Sequence, residues 1–282
     1  MSLRRLCTSA FVIGVATFAF GNPALATFDH SHAEWSALLK KHVVVSSDGK
    51  SSQVRYAALA QDRAALKVYL ASLSAVTDAD FKGWDKFSQM AFLINAYNAF
   101  TVEKILMRYP DLKSIRDFGS AFGDPWKDRF FKLFGRESTL NQIEHEWLRK
   151  PGAYDEPRVH FAVNCASIGC PMLRDEAYVA DRLDAQLEDQ TRRFLSDRTR
   201  NRYNAQRHAL EISKIFDWYK TDWTSGYRGI AAGARALTSR EQFFARYAHL
   251  LADEPAQQKL IADGKAALTH LDYDWLLSDS RN

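Results

Sequence analysis

The segment HFAVNCASIGCP, His160 to Pro171, gathers a histidine, an asparagine and two cysteines. A thiol does chemistry as its thiolate, which an adjacent base or nearby N–H groups favour. The flanking sequence RVHFAVNC reads as a short buried strand that gives way to a loop at Cys165, a usual place for a reactive side chain to be presented. Three readings of the pair stay open: a nucleophile at Cys165, a Cys165–Cys170 disulfide, or inert buried thiols. A bridge closing so short a loop would add only about 2 kcal/mol by chain entropy. The motive for a structural staple is therefore weak.

A nucleophilic thiol needs a base, and two histidines are candidates. Strand alternation puts His160, Ala162 and Asn164 on one face and Phe161, Val163 and Cys165 on the other. His160 then meets Cys165 only if the chain bends between them. His145 comes from the preceding segment, TLNQIEHEWLRK, with Glu144 beside it; neighbours on a helix diverge by about 100°, so Glu144 is not automatically its orienting partner. Glu144, His145, His160 and Cys165 are also metal-ligand types. No standard metal spacing is present, however, and HEWLR lacks the second histidine of a zinc-protease helix. The sequence calls for no metal and no cofactor.

Amides supply the second chemical signal. AFLINAYNAFTV is apolar except for Asn95, Asn98 and Thr101, with Ser88 seven residues before Asn95. Each buried polar group costs about 1 to 3 kcal/mol unless it is hydrogen-bonded, so these side chains must meet partners. One reading joins them to Asn164 and His160 in a pocket for a peptide-like or carboxylate ligand. Asn95, Asn98 and Asn164, with Ser167 from the loop, would then bind substrate or a developing oxyanion. The other reading is an amide network that fixes helix against sheet.

The elements that must position these residues follow from periodicity and punctuation. HAEWSALLKKHV and YAALAQDRAALKVYLASL have helical spacing and form an N-terminal helical cap over residues 27–75. Trp84 to Tyr109 reads as one long helix stopped by Pro110. DRFFKLFGRES turns back near Gly135 as a hairpin, and Thr139 with Gln142 opens the next helix as a capping box. A helix follows from Asp175 to Leu195, then a strand in HALEISKIFDWYK running into an aromatic loop, a helix in SREQFFARYAHLL and an extended THLDYDWLL. The aromatic clusters IFDWYK and YDW read as core and rim packing. Helices outnumber strands, and the strands lie far apart in sequence. This predicts a helix-rich α+β single domain around a small antiparallel or mixed sheet.

The first 26 residues carry Arg4 and Arg5, an apolar run from Ala10 to Phe20 and then Ala24-Leu25-Ala26. That is the pattern of a cleaved signal peptide, so a periplasmic or secreted location is expected, without stable membrane insertion. The whole chain has 38 Lys+Arg against 34 Asp+Glu, and without the two leader arginines the excess falls to two. Such a balance gives no basis for nucleic-acid binding, which needs basic residues gathered on one face. TRRFLSDRTRNRYNAQRH is the one candidate, and acids interrupt it. The expected partner is a small-molecule or peptide ligand.

AFLINAYNAFTV, PWKDRFF, TLNQIEHEWLR, HFAVNCASIGCP, SKIFDWYK and the terminal YDW, in this order, resemble the domain-of-unknown-function family numbered 547. The resemblance implies one α+β domain over residues 76–282 and leaves the chemistry unassigned. The family in turn resembles the papain-like thiol hydrolases at the level of fold. Those enzymes carry the nucleophilic cysteine at the start of a long helix and the histidine on a strand. Here the long helix has no cysteine, which separates Cys165 from that arrangement. Two functions are therefore expected as alternatives. One is a thiol-dependent hydrolase or transferase in which Cys165, assisted by His145 or His160, attacks an amide or thioester carbonyl of a small peptide-like substrate. The other is a non-catalytic exported ligand- or protein-binding domain shaped by a Cys165–Cys170 bridge.

Overall fold

Every residue from Met90 to Leu106 is buried, including Asn95, Asn98 and Thr101. A helix apolar on all sides is a core element, and the rest of the chain wraps around this one. The computed structural model describes residues 27–119, 123–231, 233 and 235–280; residues 1–26, expected from sequence to be a signal peptide, lie outside the described residues.

The elements in order are α1 (Ala33–His42), β1 (Val43–Val45), β2 (Ser52–Val54), α2 (Tyr56–Gln61), α3 (Arg63–Ala75), α4 (Asp78–Gly83), the central α5 (Lys86–Leu106), β3 (Phe131–Leu133) and β4 (Arg136–Ser138). They continue with α6 (Leu183–Ser196), β5 (Arg202–Asn204), β6 (Ala209–Ile212), α7 (Ile215–Trp218), α8 (Arg240–Arg246), α9 (Ala248–Leu251), α10 (Pro255–Ala262) and β7 (Ala267–His270). The fold is α+β: helices dominate and the sheets are small. Two are antiparallel hairpins, and the third is a mixed sheet in which β6 pairs antiparallel with β5 and parallel with β7. Among the described residues no helix is long and apolar enough to cross a membrane.

Local chemistry explains most boundaries. Asp85 caps α5, its carboxylate accepting from the N–H groups of Phe87 and Ser88, and the helix ends at Leu106, a few residues short of Pro110. The expected hairpin forms with Phe134 and Gly135 both at positive φ, the backbone that tight hairpin turns require. Thr139 and Gln142 make both bonds of the capping box. What they open is a π-helix, Gln142–Leu148, in which the Arg149 N–H reaches back five residues to the Glu144 carbonyl. The helix expected from Asp175 begins only at Leu183, after a short 3-10 turn, because the backbone before it is held extended. Its N–H groups at Ala177, Tyr178 and Val179 donate to the side chains of Ser36, Asn95 and Gln186.

The expected strand RVHFAVNC is a correction. Pro157–Phe161 is a 3-10 helix with Pro157 in its first turn and the Glu156 carboxylate capping the Arg158 N–H. Its apolar run has a different cause from a sheet. Two hydrophobic clusters meet at this segment. Val159, Ala162 and Val163 belong to the larger one around α5, α1 and α3, whereas Phe161 belongs to the second, with Phe194, Phe216, Trp223 and Phe243. Apolar side chains are thus needed on all sides, and His160 sits on the seam.

Side-chain amides take the place of a strand ladder. Asn98 donates to the Ala162 carbonyl and accepts from the Asn164 N–H. Asn95 brackets Tyr178 in the same way, donating to its carbonyl and accepting from its N–H. Replacing Asn98 with Ala leaves two buried backbone groups unpaired. The expected result is a loss of about 2 to 4 kcal/mol, read as a lower urea midpoint, together with loosening of the Asn164–Cys165 loop, read as faster amide exchange there.

Candidate active site

A cleft of roughly 230 Å³ opens where the two hydrophobic clusters, the π-helix and the C-terminal segment meet. Its lining includes Cys165, Cys170, His160, His145 and Glu144, so four side chains singled out from sequence as catalytic candidates converge on one space. The alternation argument that set His160 and Cys165 apart does not apply, because the chain between them is a 3-10 turn and not a strand. The π-helix contributes in the same spirit: with its wider turn, consecutive Glu144 and His145 both face the cleft. Short π-helical stretches of this kind occur often at functional sites.

The Cys165 loop is built to present a sulfur. Asn164 closes the turn by accepting from the Ala166 N–H and donating to the Pro171 carbonyl. Ala166 takes a left-handed conformation, φ 64°, which is unfavourable for a residue with a Cβ. The C-terminal segment docks against this loop through Ile168 N–H to Leu276 carbonyl and Gly169 N–H to Asp274 carbonyl bonds. At Gly169 a Cβ would lie 3.0 Å from the backbone of Asp274 and from the Tyr273 ring, so glycine is what allows the close approach. The approach carries Tyr273 to within 3.2 Å of the Cys165 sulfur.

Three groups surround that sulfur. Cys170 Sγ lies at 2.6 Å, Ser167 Oγ at 3.0 Å and the Tyr273 hydroxyl at 3.2 Å. Both cysteines are free thiols. The expected alternative of a Cys165–Cys170 disulfide is corrected accordingly: the separation exceeds the 2.03 to 2.05 Å of a bonded pair, and the second sulfur stands in direct contact with the first. Burial opposes ionisation of Cys165, but the hydrogen bonds from Cys170, Ser167 and Tyr273 outweigh it and bring the thiol down to about 7. Burial and the adjacent Cys165 sulfur push Cys170 the other way, well up.

The imidazole of His160 is fully buried, stacked 4.0 Å from the ring of Tyr219, with Nε2 bonded to Asp222 Oδ2 at 2.8 Å. Among the described residues its Nδ1 has no partner. Burial lowers its pKa, against the pull of Asp222, so the ring is neutral near pH 7. The Asp222 bond fixes the proton on Nε2 and leaves a lone pair on Nδ1. Asp222 is itself held by Arg149, which donates from Nε at 2.6 Å and from Nη2 at 3.0 Å. Burial works against this carboxylate, yet His160 and Arg149 keep it well below the usual range. The second histidine is differently engaged: His145 Nδ1 lies 2.6 Å from Arg149 Nη1, so that nitrogen is already occupied as the acceptor of a guanidinium hydrogen bond.

The amide candidates are placed elsewhere. Asn95, Asn98 and Asn164 bond backbone groups as described above, and none of them lines the cleft. Ser88 donates its hydroxyl to the Asp85 carboxylate at the helix cap. Ser167 reaches the site through its contact with the sulfur. Asp222 and Asn141, which lines the cleft, were not singled out as site residues from sequence. Asp222 lies 62 positions from its histidine, and no local spacing announces such a pair; an aspartate inside the aromatic run IFDWYKTDW was the only available hint. Among the described residues no group of three or more His, Cys, Asp or Glu is gathered that could hold a metal ion.

Residues 81–195 match the family described as "Protein of unknown function, DUF547", the family that the sequence resembles. The matched residues include Glu144, His145, His160 and Cys165, whereas Asp222 and Tyr273 lie beyond them. No curated protein and no solved structure matches the chain.

Iodoacetamide should alkylate Cys165 with a midpoint near pH 7 and leave Cys170 unmodified in the intact fold, as read by peptide mass. Tyr273→Phe removes one donor to the thiolate and Gly169→Ala displaces the segment that carries it. Each is expected to move the midpoint upward by about half to one pH unit.

Proposed function

We propose that this chain is a thiol-dependent hydrolase or transferase that acts on an amide or thioester bond of a small peptide-like substrate. One observation carries the reading. His160 is buried, oriented by Asp222 through Nε2 and, among the described residues, unpartnered at Nδ1, and it shares a cleft with a thiol whose ionisation is favoured. A nucleophile, a base and a group that orients the base are the parts of covalent acyl transfer.

In this reading the Cys165 thiol gives its proton to His160 Nδ1 as its sulfur attacks the substrate carbonyl, forming a C–S bond and placing negative charge on the carbonyl oxygen. Asn141, whose amide stands on the cleft wall, is the donor available for that oxyanion. The leaving amine or thiol departs with a proton supplied by His160 from Nδ1, while Asp222 steadies the imidazolium form. Water, or an acceptor amine or thiol in a transferase, then gives its proton to His160 and attacks the thioester, releasing Cys165. Arg149 does not touch substrate; it keeps Asp222 ionised, and with it the tautomer of His160. His145 and Glu144 belong to the cleft wall in this scheme. The location we propose is outside the cytoplasm, on the pattern of residues 1–26.

Short acyl thioesters and p-nitrophenyl esters should leave an S-acyl adduct on Cys165, seen by intact mass after acid quench and absent from Cys165→Ala. Asp222→Asn leaves the thiol in place and is expected to lower the acylation rate by about 10²-fold or more, because the histidine loses its fixed tautomer. No adduct from either substrate class would sink the catalytic reading and leave the cleft as a binding site. For the location, protein recovered from the exported fraction of expressing cells should begin at Thr27; an intact Met1 in that fraction would overturn it.

A further inference from the structure

The cleft that holds the thiol has a one-sided composition. Among the described residues, no lysine or arginine lines it, whereas the carboxylates of Asp124 and Glu144 do. Its mouth is walled by three indoles. Trp218 stacks on Trp275 at 5.6 Å and 28°, and Trp126 meets the edge of Trp275 at 5.8 Å. Trp126 turns its N–H inward to the Tyr97 hydroxyl at 3.1 Å, which leaves its ring for contact. Trp218 is 45% exposed, so its ring is open to a ligand at the cleft. One ring of this wall already takes a cation: the Arg116 guanidinium lies 5.1 Å from the Trp275 centroid.

Glu144 is the second observation. It is only 4% exposed, and it makes no ion pair among the described residues. Its neighbour Tyr219 bonds to it, but Arg149, the guanidinium that acts on it, is committed to Asp222 and His145. At the mouth, Lys127 reaches Asp124 at 3.5 Å, so the acid without a counter-ion is the inner one. A buried carboxylate lacking a cation is costly, and ring faces with a carboxylate behind them are the surroundings that stabilise an organic cation.

We infer that the cleft takes a substrate bearing an organic cation, an alkylammonium or quaternary ammonium group, held between Glu144 and the indole wall. This rests on the acyl-transfer reading only in placing the cation beside the carbonyl that Cys165 attacks. The cation lies against the faces of Trp126 and Trp218 with Glu144 as its counter-charge, and no bond is made or broken in binding it.

The test is equilibrium binding to the Cys165→Ala protein, followed by tryptophan fluorescence. Choline is compared with 3,3-dimethylbutan-1-ol, its neutral carbon isostere, and with N-acetylglucosamine and acetate. Choline should saturate and bind at least about tenfold more tightly than the isostere. Glu144→Gln and Trp218→Ala should each weaken it by about fivefold or more, with the urea midpoint of Trp218→Ala unchanged. Equal binding of choline and its isostere, a preference for the sugar or for acetate, or no binding by any probe would overturn the inference. Because the nucleophile is absent from this protein, the outcome is separate from that of acyl trapping. Choline binding without an adduct would reject the chemistry alone, and an adduct without cation preference would reject the cation alone.

Discussion

One carboxamide sets the geometry on which the rest depends. Asn98 stands in the middle of a helix with no polar surface to spare and satisfies itself on the Ala162 carbonyl and the Asn164 N–H. A buried amide that meets both a donor and an acceptor of a neighbouring loop holds it at a fixed distance and rotation, which apolar contact alone does not do. The loop so held is the one that carries His160 on one side and Cys165 on the other. Asn164 repeats the device within the loop, and Asn95 applies it to the extended segment at Tyr178. The polar residues of α5 are thus scaffold, and the cleft owes its shape to them without being lined by them.

Electrostatics then divides the work among groups of similar type. Two histidines face the same space. Among the described residues His160 has a carboxylate on one nitrogen and no partner on the other, whereas His145 has a guanidinium. Two sulfurs lie in contact, and the same hydrogen bonding moves them apart in acidity, Cys165 down and Cys170 up. Pushing the pKa values of paired groups in opposite directions is how a site assigns donor and acceptor roles. Arg149 supports the arrangement from behind. Its fork closes on Asp222 and its planar cation lies 4.6 Å from the Tyr219 ring, so one side chain fixes both the carboxylate and the ring against which His160 stacks.

The residue types in HFAVNCASIGCP and the buried asparagines were legible in the sequence because their chemistry conflicts with an apolar setting. The hairpin at Gly135 and the capping box at Thr139 were legible because their signals are local. The strand assigned to RVHFAVNC failed for a physical reason: five apolar positions without period suit a buried strand and equally suit a short turn wedged between two cores. Only the second hydrophobic cluster, assembled from residues far along the chain, distinguishes them. Asp222 escaped for a related reason. Its partner is remote in sequence, and its aromatic neighbours Trp218, Tyr219 and Trp223 read as packing, which is what the buried Trp223 does. The amides were open to two readings at the outset, and their backbone bonds place them in the structural one.

The mixed sheet has a consequence for when the site comes into being. β7 lies parallel to β6 and can join it only after the long excursion from Ile212 to Ala267 has been made, and the segment behind β7 brings Tyr273 and Trp275 to the cleft. Non-local pairing of this kind forms slowly, and chains fold from the N-terminus as they are synthesised. The scaffold of α5 and the loop it brackets can settle first, with the Cys165 sulfur still lacking its phenol neighbour and the cleft its rim. Arming of the thiol is therefore a late event of folding, withheld until the segment behind β7 has docked.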